Sequence, residues 1–211
     1  MRSLENYACG EWVAGSGKKQ ELFNAITGEG IASASSQGLD FARMCEYARS
    51  VGGPNLRKMT FRERGLMLKA LALHLLSKKE EFYKISWATG ATRTDSWVDI
   101  EGGTGTLAAY ASLARKEMPD GRFLVEGELE PLSKQGSFAG RHILVPRRGV
   151  AVHINAFNFP CWGLLEKLAP CFIAGVPVVV KPATVSCYLT EAMVRQIIGS
   201  GILPEGALQL I

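Results

Sequence analysis

Residues 149–182 have the sequence GVAVHINAFNFPCWGLLEKLAPCFIAGVPVVVKP, and this stretch decides the fold. Residues 150–154 and 176–180 are apolar runs rich in β-branched side chains, a pattern typical of strands buried on both faces. Between them, apolar residues recur at helical spacing until Gly175, which marks the helix end. These residues are Trp162, Leu165, Leu168 and Phe172. Two buried strands joined by an amphipathic helix predict a right-handed βαβ unit.

The polar residues of this unit lie where its strands end. In an open parallel sheet, ligands bind beyond the carboxyl ends of the strands. Residues 155–158 follow the first strand, and residues 181–184 follow the second. Pro160 is expected in the first turn of the helix, where its missing N–H has no partner to lose. The sequence therefore predicts a site at this edge of the sheet.

The rest of the chain extends this unit in both directions. Four segments are predicted: an extended arm with one or two short strands (1–35), a helical segment (36–117), a connection with a projecting strand (118–147) and a βαβαβ core (148–211). In the core, Ser186 or Thr190 is expected to cap a helix that precedes a third parallel strand over residues 206–211. The predicted fold class is α/β, an incomplete doubly wound parallel sheet of Rossmann type preceded by the arm and the helical segment.

Several helix boundaries can be predicted from capping residues. The candidate N-caps are Asp40, Thr60 with Glu63, and Ser77 with Glu80. The first helix is expected to end at Gly52-Gly53-Pro54. A later helix is expected over residues 95–115, where Gly102, Gly103 and Gly105 weaken the pattern but permit close helix packing. Residues 118–131 show no clear period, and residues 136–145 alternate weakly as a projecting hairpin strand would.

Composition excludes several classes of function. The chain has 211 residues, 47% of them hydrophobic, and a net charge of +4 that is scattered along the sequence, which argues against a nucleic-acid-binding face. No apolar run reaches about 18 residues, and no signal peptide precedes residue 11, so no membrane partner and a cytoplasmic location are expected. Five cysteines without a C-x-x-C pair, and three dispersed histidines, predict neither disulfides nor a metal site.

The motifs around the two polar turns resemble the aldehyde dehydrogenase superfamily. They are Asn158-Phe159-Pro160 before the helix, Val180-Lys181-Pro182-Ala183 after it, and Pro204-Glu205-Gly206-Ala207 before the last strand. The resemblance covers essentially the whole chain, but only the first part of such an enzyme. The runs INAFNFPCWG and TGATRTDSWVDIEGG are most similar to the bifunctional proteins of phenylacetate degradation. Those proteins join an aldehyde dehydrogenase domain to an enoyl-hydratase-like domain and act on a coenzyme A thioester semialdehyde.

The resemblance implies a role for each residue that matches a family motif. Asn158 would be the catalytic amide that stabilises the oxyanion of the thiohemiacetal, and a neutral donor near a helix N-terminus suits developing negative charge. Lys181 would bind the adenine ribose. The implied cofactor-binding residues are Ile154, Asn155, Ala156, Phe157, Lys181, Pro182, Ala183 and Thr184. The implied substrate-tunnel residues are Phe159, Trp162, Gly163, Glu166 and Lys167.

Departures from the family pattern predict the ligands. NAD-preferring members typically carry glutamate where this chain has Thr184, so NADP is the expected cofactor and NAD the alternative. Gly163 and Glu166 replace bulky apolar residues, which predicts room for a large aldehyde such as a coenzyme A thioester. The full-length enzyme is expected to be a homo-oligomer.

The resemblance leaves part of the catalytic apparatus without a counterpart in residues 1–211. The nucleophilic cysteine, the glutamate base and the glycine-containing phosphate loop of the family have no match, so these residues alone are not expected to oxidise aldehydes. Two alternatives stay open: a non-catalytic nucleotide-binding or oligomerisation module, and a truncated product without activity. Residue by residue, Asn158 could be only a helix cap, Glu166 a solvent-facing charge, and Cys161 is interpreted as a core residue.

Overall fold

The computed structural model describes residues 1–211 and contains three sheets surrounded by helices. The strands are β1 (Arg2–Ser3), β2 (Glu5–Ala8), β3 (Glu11–Ala14), β4 (Gln20–Phe23), β5 (Gly30–Ala34), β6 (Leu124–Pro131), β7 (Ala139–Leu144), β8 (Ala151–Ile154), β9 (Val178–Lys181) and β10 (Leu208–Leu210). The α-helices are α1 (Phe41–Tyr47), α2 (Gly53–Arg57), α3 (Phe61–Ser77), α4 (Lys79–Ser86), α5 (Arg93–Lys116), α6 (Trp162–Ile173) and α7 (Cys187–Gly199). A π-helical turn (Ala48–Gly52) joins α1 to α2, and 3₁₀ turns occupy Trp87–Thr89 and Thr184–Ser186.

The main sheet has the strand order β3-β2-β10-β9-β8. Strands β8, β9 and β10 are parallel and in register, with Val178 opposite both Ala151 and Leu208. This confirms the predicted α/β fold with three parallel strands linked by α6 and α7. The β2–β3 hairpin adds to the edge of β10 in the antiparallel sense, so the complete sheet is mixed.

The N-terminal segment contains more structure than the sequence predicts. Instead of one or two strands it forms five, and β1, β5 and β4 make a separate small sheet. The strands are only two to five residues long, and the burial pattern of β3 has no fully buried position. Such short strands lack a clear period-two signal, because their pairing depends on distant segments such as β10.

The core lies between the main sheet and the helical layer. One face of α6 is buried: its Leu164, Leu168 and Phe172 pack in one cluster with Val178 and Val180 of β9. On its other side α6 crosses α5 closely enough that a Cβ on Gly103 would lie 3.0 Å from the Cα of Trp162. The predicted close packing of helices is therefore present at Gly102 and Gly103, which face Trp162, but not at Gly105, which lies in open space.

The predicted end of the first helix is wrong. Asp40 caps α1 through a bond from the Arg43 N–H, as expected, but the helical path continues through Gly52 into α2. A Cβ on Gly52 would lie 2.1 Å from the carbonyl oxygen of Gly206. Gly52 is needed because another part of the backbone approaches the helix closely at this point. A sequence pattern cannot distinguish a glycine of this kind from a glycine that ends a helix.

One of the two predicted capping boxes is present. Thr60 and Glu63 form the expected reciprocal box at the start of α3. Ser77 does not cap α4: its hydroxyl donates to the carbonyl of His74, and α4 begins after Lys78 without a side-chain cap. The next helix begins at Arg93, two residues earlier than predicted, because Thr92 forms a capping box with Asp95.

The β6–β7 hairpin projects from the body of the molecule. The prediction of an irregular connection up to Pro131 is wrong, because β6 pairs with β7 from Leu124 onwards. Nearly every residue of the hairpin is exposed on both faces, which explains why its sequence shows no amphipathic period. None of the helices is both long and apolar enough to cross a bilayer.

Candidate active site

The turn between β8 and α6, residues 155–161, is the centre of the candidate site and is called the Asn158 turn below. The Asn155 N–H donates to the carbonyl of Lys181 at 3.1 Å, so the two polar strand ends lie side by side as predicted. Asn158 is exposed, as is Phe157 with 65% of its surface accessible. Pro160 precedes the first helical turn instead of lying inside it, because α6 begins at Trp162.

The hydroxyls predicted to cap α7 bond to the Asn158 turn instead. Ser186 donates to the carbonyl of Phe157 at 2.9 Å, and Thr190 donates to the carbonyl of Pro160 at 3.1 Å. Ser186 does occupy the N-cap position of α7, but its side chain makes no capping bond. The capping prediction is therefore wrong for both residues.

Asp99, a residue of α5, caps the N-terminus of α6. Its Oδ1 accepts the N–H of Trp162 at 2.7 Å and that of Cys161 at 3.1 Å. The pKa of Asp99 is raised to about 6 because burial of the carboxylate outweighs the two backbone bonds, which lower it. The sequence did not indicate this role of Asp99, because Asp99 lies inside a continuous helical pattern and 62 positions before its partner Cys161.

A cleft of about 590 Å³ lies between the N-terminal segment and the carboxyl ends of β9 and β10. Of the predicted cofactor-binding residues, Lys181, Pro182 and Thr184 line this cleft. Ile154, Asn155, Ala156, Phe157 and Ala183 do not line it. The Lys181 ammonium is held at the strand end by a 2.9 Å bond to the carbonyl of Pro182.

The cleft has more available positive than negative charge. Lys18 and Lys19, which sequence analysis did not single out, line it together with Lys181, and none of the three forms an ion pair with a carboxylate. The two carboxylates of the lining, Glu5 and Glu191, are both bound by Arg195. The electrostatics of the cleft therefore favour an anion.

A second cleft, of about 530 Å³, runs along α6 and contains three predicted tunnel residues, Trp162, Glu166 and Lys167. Lys167 bonds the Glu166 carboxylate at 2.8 Å and the carbonyl of Gly163 at 3.2 Å. Phe159 packs edge-on against Trp162, with ring centroids 6.0 Å apart.

Gly163, the smallest of the predicted tunnel residues, is buried and does not line the second cleft. A Cβ on Gly163 would contact Asn155 at 3.6 Å, an ordinary van der Waals distance. The side chain of Asn155 is itself buried, and neither polar atom of its amide has a hydrogen-bond partner. An added side chain at position 163 would therefore contact the side chain of Asn155 first.

The environments of four of the five cysteines do not favour a nucleophile. Burial raises the pKa of Cys161 well above its usual range, with a further contribution from the Asp99 carboxylate. Burial also raises the pKa of Cys187 to about 11, and raises the pKa values of Cys171 and Cys9. Because the thiolate is the reactive form, these four thiols are poorly suited to attack an aldehyde at neutral pH.

The parallel strands, the polar turns at their carboxyl edge and the adjacent anion-favouring cleft have the arrangement in which open α/β sheets bind ligands. The sequence profile of the aldehyde dehydrogenase family matches residues 12–211. The chain belongs to the aldehyde dehydrogenase family, and the resemblance noted in the sequence is confirmed.

Particular relatives agree with this assignment. The chain is 44% identical over 209 residues to a 3,4-dehydroadipyl-CoA semialdehyde dehydrogenase from Aromatoleum evansii, covering 99% of this chain and 40% of that protein. It is 28% identical over 210 residues to a D-glyceraldehyde dehydrogenase (NADP(+)) from Picrophilus torridus, covering 99% of this chain and 40% of that protein. Among solved structures, an NAD-dependent benzaldehyde dehydrogenase from Corynebacterium glutamicum superposes with a TM-score of 0.83 at 20% identity, over 99% of this chain and 44% of that one. The chain thus spans about two-fifths of the length of these relatives.

Proposed function

We propose that residues 1–211 form the N-terminal part of an NAD(P)-dependent aldehyde dehydrogenase that oxidises a semialdehyde to the acid. The observation that carries this proposal is the Asn158 turn. It presents the exposed residue Asn158 at the carboxyl edge of the parallel strands, where the N–H of Asn155 bonds the carbonyl of Lys181. In this assignment the Asn158 amide donates a hydrogen bond to the oxyanion that forms when a thiolate attacks the aldehyde. The raised pKa values of the buried thiols support assigning that thiolate to residues outside 1–211.

The residues of the first cleft fit a phosphorylated dinucleotide. Lys18, Lys19 and Lys181 offer unpaired positive charge, and the neutral Thr184 would not repel a phosphate as a carboxylate would. This favours NADP, with NAD as the alternative. When bound, the cofactor supplies the hydride acceptor of the reaction. The part assigned to this chain is to hold the cofactor at the strand ends through Lys181 and its neighbours.

A coenzyme A thioester semialdehyde is the proposed substrate class. The relative that is 44% identical is named for such a compound, and the sequence resemblance to the phenylacetate-degradation proteins points to the same chemistry. The second cleft supports this proposal, because it is open and carries the charged pair Glu166 and Lys167 beside the ring of Trp162. Gly163 does not contribute to this argument, because it is buried against Asn155 and does not line the cleft.

We also propose that the full-length protein is a homo-oligomer that uses the β6–β7 hairpin. The hairpin segment exposes the large apolar side chains Leu129, Phe138 and Val145, each with more than 60% of its surface accessible. Exposed apolar surface of this kind marks association sites in folded proteins. Sedimentation of the Phe138→Glu variant should show a smaller species than the wild type; an unchanged mass would exclude the hairpin as the contact.

The test of the catalytic proposal measures cofactor reduction by the full-length protein with a thioester semialdehyde and with short aldehydes. Asn158→Ala should lower kcat about a hundredfold, equivalent to about 3 kcal/mol of transition-state stabilisation, with cofactor affinity nearly unchanged. Asn24→Ala, which alters a turn asparagine between β4 and β5, is the control and should leave kcat at the wild-type value. Cofactor binding without aldehyde-dependent reduction would favour the non-catalytic alternative. Loss of cofactor binding in Asn158→Ala, with kcat preserved, would give Asn158 a role in cofactor binding and not in catalysis; the structure already excludes a capping role, because the N-terminus of α6 has no side-chain cap of its own.

A further inference from the structure

Two buried hydroxyls hold the Asn158 turn on either side of Asn158. The Ser186 hydroxyl binds the carbonyl of Phe157, one residue before Asn158, at 2.9 Å. The Thr190 hydroxyl binds the carbonyl of Pro160, two residues after Asn158, at 3.1 Å. Both hydroxyls come from the start of α7, so the turn is fixed to a helix that begins some 30 residues later in the chain.

A third buried group holds the end of the turn. Asp99 accepts the N–H groups of both Cys161 and Trp162, the residues at which α6 begins. The N-terminus of α6 has no side-chain cap of its own. The first N–H groups of a helix lack intrahelical partners, so Asp99 supplies the acceptor that the local sequence does not.

These three side chains are almost inaccessible to solvent, whereas the residue between them is not. Thr190 is 0% exposed, Ser186 3% and Asp99 4%, while Asn158 is classed as exposed. Buried hydrogen bonds of this kind hold the backbone firmly, because each lost partner would leave a polar atom buried and unsatisfied. The backbone of the Asn158 turn is therefore held on both sides of Asn158, whereas Asn158 itself is exposed and accessible to a ligand.

The simpler explanation, that these residues only cap and pack the helices on which they lie, does not fit the contacts. Ser186 occupies the N-cap position of α7, yet its side chain bonds no group of that helix. Thr190 lies within α7 and donates across to Pro160 instead of to the preceding turn of its own helix, a common alternative for threonine. Asp99 likewise accepts only from α6 and the residue before it.

We propose that Ser186, Thr190 and Asp99 are positioning residues that set the orientation of the Asn158 amide toward the oxyanion of the reaction. This inference rests on the proposed function of Asn158 as the oxyanion donor. Oxyanion donors act through preorganised geometry, and a displacement of about 1 Å at a reacting group can cost about a hundredfold in rate. The three residues act through the backbone and need not touch the substrate.

The test uses the full-length protein with matched variants at Thr190. Thr190→Val keeps the shape but removes the hydroxyl, and should lower kcat about tenfold while KM for the cofactor changes less than about twofold. Thr190→Ser keeps the hydroxyl and should restore most of kcat. Thr104→Val is the control: Thr104 is equally buried, but its hydroxyl donates to Glu101 within α5, so kcat should stay at the wild-type value. Ser186→Ala provides a second, smaller perturbation if Thr190→Val folds poorly.

A double-mutant cycle with Asn158→Ala separates positioning from general destabilisation. If Thr190 acts through Asn158, Thr190→Val should change kcat less than about twofold once the amide is gone. An equal slowing in both backgrounds, or wild-type kcat in both Thr190→Val and Ser186→Ala, would overturn the positioning role while the catalytic role of Asn158 stands. Wild-type kcat in Asn158→Ala itself would overturn the proposed function and this inference together.

Discussion

The buried carboxylate of Asp99 should give the protein an unusual pH dependence of stability. The side chain is 4% exposed, and burial raises its pKa from the ordinary value of 3.8 to about 6 in spite of the helix N–H groups that it accepts. A rise of this size corresponds to about 3 kcal/mol between the two protonation states. The structure therefore predicts that ionised Asp99 weakens the fold.

The sign follows from the direction of the pKa change. The folded protein holds the Asp99 proton more tightly than the unfolded chain does, so the stabilising contribution is complete below about pH 3.8. This contribution is lost as the pH rises through about 6. His153 acts in the opposite direction, because burial lowers its pKa to about 4 and its neutral form is favoured in the fold. The Asp99 effect must therefore be measured as a difference between two variants.

Asp99→Asn is the suitable variant because it keeps the geometry. The remaining Oδ1 can still accept from the N–H groups of Trp162 and Cys161, whereas the 3.2 Å bond from the Cys161 N–H to Oδ2 is lost; this loss does not depend on pH in the measured range. The free energy of unfolding, measured by urea denaturation between pH 4 and 7, should fall by about 2 kcal/mol more in the wild type than in Asp99→Asn, since part of the full contribution appears only below pH 4.

Two results would refute this reasoning. A difference between wild type and Asp99→Asn that is constant from pH 4 to 7 would mean that the carboxylate is not desolvated in the folded protein. A variant that instead loses stability relative to the wild type as the pH rises would mean that the helix N-terminus stabilises the anion more than burial penalises it.

Four further substitutions test the site and the packing. Thr184→Glu should shift the ratio of kcat/KM for the two cofactors towards NAD by at least about tenfold, or about 1.4 kcal/mol; an unchanged ratio would assign cofactor choice to other residues. Gly163→Met should raise KM for a thioester semialdehyde and for a short aldehyde by similar factors, because the added side chain would meet the buried Asn155 and not the second cleft; a several times larger effect on the thioester would assign Gly163 a role in substrate size. Gly52→Ala should lower the free energy of unfolding by about 2 kcal/mol or more, because the Cβ would lie 2.1 Å from the Gly206 carbonyl. In contrast, Gly105→Ala in open space on α5 should raise it by about 0.5–1 kcal/mol, and similar effects of the two alanines would contradict the close approach.

The sequence by itself determined the parts of the fold that depend on neighbouring residues. The two apolar runs and the helix between them predict β8, α6 and β9. Burial on both faces explains the continuous apolar pattern of β9. The same expectation is wrong for β8, which lies at the sheet edge and exposes Val152 and Ile154. The Thr60 and Glu63 box predicts the start of α3, since both partners lie within one turn. The motifs that include Asn158 and Lys181 predict the family, which the match over residues 12–211 confirms.

Only the tertiary structure decided how distant segments meet. The hydroxyls of Ser186 and Thr190 could have capped their own helix, and the sequence gives no reason to send them to a turn some 30 residues earlier. Asp99 finds its partners 62 residues away, and Gly52 continues a helix because the Gly206 carbonyl passes against it. A local sequence pattern indicates which groups can form hydrogen bonds, but the packing of the helices on the sheet determines which partner lies close enough. For this reason the sequence identified Asn158, whereas the residues that hold its turn became visible only in the folded chain.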